Sequence, residues 1–148
     1  MKKILNYVVI FIFVTSCSYE PVFQKTKSNL KFGKATFNGD ENISNLIYSK
    51  FKIYENNESK KEINFNSSYD KIVASKDKKG NPQTFNMKVL IELKIINDDK
   101  NEISKVFEET ISYNNIKSKF ELKSKEDQLK KSLSENITRD ILVFINSL

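Results

Sequence analysis

The side chains with chemistry to offer are few. Cys17 is the one thiol in 148 residues, carboxylates stand in adjacent pairs at Asp98-Asp99 and Glu108-Glu109, and lysines crowd two places. The first lysine group is Lys76, Lys78 and Lys79; the second is Lys117, Lys119, Lys123, Lys125, Lys130 and Lys131. A carboxylate pair does acid–base work only when desolvated or held in a cleft. Asp98-Asp99 falls in a predicted turn, and neighbours such as Glu108 and Glu109 on a strand point to opposite faces, so both pairs read as solvated surface charge. The chain has no His, which removes catalytic triads, Cys-His dyads and imidazole metal ligands. A single Cys makes neither an internal disulfide nor a Cys-rich zinc site. Gly33, Gly39 and Gly80 are scattered, whereas loops that cradle phosphate need clustered glycine. Most enzyme classes are left without their machinery. We expect neither enzymatic activity nor a cofactor.

The lysines have two readings, a solvated face or a set of point charges that meets an anion. Nucleic acid is a poor candidate for that anion. Although Lys and Arg total 25 against 19 Asp and Glu, Arg139 is the only arginine, and base edges are read best by the arginine fork.

Cys17 sits in a more specific setting. Met1-Lys2-Lys3 is a positive start, and Tyr7 to Val14 is an apolar run, too short to cross a hydrocarbon layer that needs about 20 residues of helix. This reads as a signal peptide over residues 1–16. Val14-Thr15-Ser16-Cys17 resembles the lipobox of bacterial lipoproteins, in which the cysteine is acylated and becomes the new N-terminus. Lipidation at Cys17 would anchor the chain to a membrane, since each buried CH₂ contributes about 0.8 kcal/mol. Ser18 after the cysteine resembles the pattern of lipoproteins sorted to the outer membrane. Residues 17–28 show no sustained period and contain Pro21, as a tether would.

The elements that position these groups follow from hydrophobic spacing. Leu30 to Phe37 alternates imperfectly around Gly33, which predicts a strand with a bulge or a close backbone approach. Asp40 can cap a helix over about 41 to 54, with Ile43, Leu46, Ile47, Tyr48, Phe51 and Tyr54 three and four apart. The period then becomes two. Ile63, Phe65, Tyr69 and Val73 share a face of one strand, Phe85 through Ile95 of a second, and Ile103, Phe107, Ile111 and Tyr113 of a third. Turns fall at Asp77 to Pro82 and at Asn97 to Asn101. Ser124-Lys125-Glu126-Asp127 resembles a capping box before a long helix striped by Leu129, Leu133, Ile137, Ile141, Phe144, Ile145 and Leu148. The order β-α-β-β-β-α over 29–148 predicts a single α+β domain with two helices on one face of a four-stranded sheet.

Three segments together resemble the LPS-assembly lipoprotein family, LptE, in its short alphaproteobacterial form. They are Cys17-Ser18-Tyr19-Glu20-Pro21-Val22-Phe23, then Lys79-Gly80-Asn81-Pro82 before a long alternating strand, and Tyr113-Asn114 ahead of a C-terminal amphipathic helix. Thr84-Phe85 departs from the pattern, because many relatives place an Arg there. The resemblance implies a lipid-anchored, non-enzymatic protein on the periplasmic side of the outer membrane. Its partners would be the LptD β-barrel, which it plugs and helps to assemble, and lipopolysaccharide, whose phosphates would meet Lys76, Lys78 and Lys79. The alternative is an envelope lipoprotein that serves as accessory subunit of another periplasmic or transport complex.

Overall fold

The computed structural model describes residues 31–148. Cys17 and the segments expected to be signal peptide and tether lie outside the described residues. Strand β1 (Lys34–Gly39) leads into helix α1 (Glu41–Phe51) and a 3-10 turn (Lys52–Tyr54); β2 (Glu62–Lys76), β3 (Pro82–Ile96), β4 (Glu102–Asn114) and helix α2 (Lys119–Asn146) follow. The sheet order is β1-β2-β3-β4, with β1 parallel to β2 and the other pairs antiparallel. This is the expected α+β fold.

β3 supplies the centre of the core. Met87, Val89, Ile91, Leu93 and Ile95 are all buried on one face, as strict alternation requires of a central strand covered on one side. Ile43, Ile47 and Phe51 of α1 and Leu133, Ile137, Ile141 and Ile145 of α2 close over that face. Full burial of such a side chain stabilises the fold by about 1.5–3 kcal/mol. Among the described residues nothing covers the opposite face, which carries ion pairs Lys88–Glu108 at 2.7 Å and Lys94–Glu102 at 2.8 Å beside the exposed apolar Ile72 and Val106.

Several boundaries shift from expectation for local reasons. β1 begins at Lys34 rather than near Leu30, and Phe32 makes only an isolated parallel bridge to Glu55. Gly33 makes the expected close approach, since a Cβ there would lie 1.9 Å from the Ser59 carbonyl oxygen. α1 tightens into the 3-10 turn after Phe51 instead of running as α-helix to Tyr54. α2 starts at Lys119, not at Ser124. Its cap is Ser118, whose hydroxyl accepts from the Glu121 N–H at 3.3 Å, while Ser124 lies inside the helix. At the other end of the stripe Leu148 is 64% exposed, and Val73 on β2 is 43% exposed; among the described residues no further element covers either.

Candidate functional site

The turn between β2 and β3 is built around one carboxylate. Asp77 Oδ1 accepts from the N–H groups of Lys79 and Asn81, both at 2.8 Å, and Oδ2 accepts from Asn81 Nδ2 at 3.0 Å. The Gly80 N–H donates to the Asp77 carbonyl at 3.0 Å, and Gly80 adopts φ +85°, a left-handed conformation that glycine accepts without strain. The Asn81 side chain, followed by these backbone donors, holds the Asp77 carboxyl below its ordinary value. Asp77 is thus engaged with its own turn. Lys76, Lys78 and Lys79 are exposed around it, and none takes part in an ion pair among the described residues.

The structure brings part of the second lysine group to the same end. β4 runs back toward the hairpin tip, pairing Asn114 with Thr84. Asn115 then clamps the chain there, its N–H donating to the Gln83 carbonyl at 2.7 Å and its Nδ2 to the Pro82 carbonyl at 2.8 Å. Lys117 and Lys119 therefore emerge beside the hairpin end, at the start of α2. Phe120 follows them with 84% of its surface exposed. Five lysines and a bare aromatic ring share one pole of the molecule. Sequence spacing did not show this convergence, because it depends on pairing across more than thirty residues.

The rest of the second group is occupied elsewhere. Lys123 pairs with Asp127 one turn along α2 at 2.7 Å. Lys130 Nζ lies 2.9 Å from Asp40 Oδ2 and 4.9 Å from the Tyr69 ring centroid. Burial works against the Asp40 carboxylate, but the Lys130 hydrogen bond and charge and the Ile43 and Asn42 N–H groups outweigh it, so its pKa lies below the ordinary value. Beneath the first turns of α2, the mostly buried Glu126 accepts from Lys71 Nζ at 2.5 Å and from the Tyr113 hydroxyl at 2.8 Å. Burial and then this carboxylate push the Tyr113 hydroxyl above its ordinary pKa. Lys71 also stacks 4.2 Å from the Phe85 ring centroid.

The members of the carboxylate pairs meet different partners. Glu108 meets Lys88 on the open face, Glu109 accepts from Asn136 at 3.2 Å on the helix side, and Asp99 bonds to Asn101 within its turn. Among the described residues no group of three acidic or thiol side chains could hold a metal ion, and no helix is long and apolar enough to cross a membrane. A cleft of about 380 Å³ between the helices, lined by Ile43, Leu46, Lys123, Lys130, Lys131 and Ser134 among others, has its central lysine already neutralised by Asp40.

A scan against protein-family models finds no match, and a search of curated proteins finds none either. Solved structures do match. The fold resembles rare lipoprotein B from Shewanella oneidensis with a TM-score of 0.63 at 13% identity, covering 78% of this chain and 95% of that one. The likeness is one of fold. A minor lipoprotein from Acinetobacter baumannii matches with a TM-score of 0.59 at 8% identity over 78% and 90% of the two chains. Lipoprotein B from Nitrosomonas europaea matches at 0.57 and 14% over 76% and 81%.

Proposed function

We propose that this protein is an outer-membrane lipoprotein, anchored through Cys17, that seats within the LptD β-barrel, helps the barrel assemble and supports delivery of lipopolysaccharide to the outer leaflet. The role is non-enzymatic. The observation that carries it is the pole formed by Lys76, Lys78, Lys79, Lys117, Lys119 and Phe120. A glycolipid of this class offers phosphates beside acyl chains, and the pole offers ammonium groups beside an exposed ring. Two further features favour a barrel as host. β2 has 15 residues, roughly 50 Å of strand, against a hydrocarbon layer of roughly 30 Å. The face of the sheet away from the helices is mostly polar, with Asn66, Ser68, Asp70, Lys88, Glu92 and Glu108, which suits the water-lined interior of a large barrel.

The test is purification of the full-length, lipidated chain from outer membranes. A stable one-to-one complex with a β-barrel protein supports the proposal. A soluble or inner-membrane partner in its place would reassign the chain as an accessory subunit of another complex.

A further inference from the structure

β1 covers only part of β2. The two strands pair from Lys34 with Glu62 to Gly39 with Ser67, whereas β2 continues through Lys76. The chain is turned away at a defined point. Gly39 sits at φ +95°, where a Cβ would lie 1.8 Å from the Ser67 carbonyl oxygen; the Asp40 N–H then donates to that oxygen at 3.1 Å and the Asp40 carboxylate caps α1. The helix runs back over the start of the sheet. Ser68 to Lys76 is left bonded to β3 alone among the described residues.

The direction of the free groups follows from the same bonds. The carbonyls of Lys61 and Ser67 both accept from the β1 side, from Gly33 at 2.9 Å and Asp40 at 3.1 Å. With the strand's period of two, Tyr69, Lys71 and Val73 turn both N–H and C=O outward, while Ser68, Asp70 and Ile72 bond to β3. The register is unbroken to Val73 and shifts only beyond it. Natural edges are blunted by proline, protruding charge or bulges. Here Lys71 is drawn inward to Glu126, the bulge lies beyond Val73, and Ile72 and Val73 stand 60% and 43% exposed on the two faces.

We infer that the outward edge of β2 from Ser68 to Val73 accepts an extended strand from the barrel partner, a surface that rests on the function proposed above. Main-chain bonding to Tyr69, Lys71 and Val73 holds the strand, and apolar side chains on it cover Ile72 and Val73. A basic side chain on the strand faces Asp70, which is exposed on the face of the sheet turned away from the helices and takes part in no ion pair among the described residues; Lys76, Lys78 and Lys79 stay free for the glycolipid.

Residue-resolved amide hydrogen exchange tests this on the full-length lipoprotein, alone and in complex with the co-purified barrel protein. Strand addition slows exchange at Tyr69, Lys71 and Val73 by about tenfold or more on complex formation, while Ser68, Asp70 and Ile72 change little. If the complex forms and the three outward amides exchange as in the isolated chain, the strand-addition surface is wrong and the barrel partner stands. If they are already slow in the isolated chain, a segment of the protein itself occupies the edge and the inference is overturned. If no barrel complex forms, the proposed function fails first and this surface with it. Val73→Pro removes one outward donor at a position where an edge strand tolerates proline, and it is expected to weaken the complex about two- to tenfold. An unweakened complex with a folded Val73→Pro chain counts against the surface.

Discussion

Lys130 and Asp40, ninety residues apart in sequence, meet at 2.9 Å and join the second helix to the N-cap of the first. Asp40 also accepts from the N–H groups of Asn42 and Ile43 at 3.0 and 3.1 Å. Asp40→Ala is therefore expected to cost about 1–3 kcal/mol, the loss of a cap plus an orphaned partner. The folded-state pKa is lowered from 3.8, so this contribution is fully present above that value and disappears as pH falls through the lowered one. Urea unfolding of wild type and variant checks it; the gap should be full near neutral pH and close in acid.

Leu133 and Ile137 are 5% and 1% exposed at the middle of the α2 stripe. Leu133→Ala and Ile137→Ala should each destabilise by about 2–5 kcal/mol. Val143, 60% exposed on the same helix, serves as the contrast and should shift by no more than about 0.5 kcal/mol when replaced with Ala. Thermal unfolding of the three variants decides the point.

Converting Lys76, Lys78 and Lys79 together to Glu should weaken lipopolysaccharide binding at low salt, with stability changed by only about 0.5 kcal/mol. Adding Lys117→Glu and Lys119→Glu should deepen the loss, since the fold brings both to the same pole. Unchanged binding in the fivefold variant would make the pole a solvated surface.

Cys17→Ala should leave the chain unlipidated, with its signal segment uncleaved. Mass spectrometry of the N-terminus from membrane fractions reads this directly, and an unmodified mature N-terminus at another residue would remove the lipobox assignment.

The element order was legible wherever one face is dry. β3 alternates without a break, and the Asp40 cap precedes an apolar period of three to four. The beginning of α2 was not legible by periodicity, because Glu126, bonded to Lys71 and Tyr113, interrupts the apolar stripe between Leu122 and Leu129. A local signal existed in Ser118-Lys119-Phe120-Glu121, which has capping-box spacing. The edge position of β1 depends on Gly39 and Ser67, far apart in sequence, and the joining of two lysine groups depends on the Asn115 clamp. Neither leaves a trace in local spacing.

Phe32 is the first buried side chain among the described residues, and it bridges to Glu55 ahead of β2. The hairpin lysines stand at the other end of that strand, roughly 50 Å away. The screening length at physiological ionic strength is about 8 Å. The two ends are therefore electrically deaf to each other. Charge placed at the Phe32 end neither draws the lysine pole toward it nor competes for it, so an anion can be met at the hairpin end on its own terms.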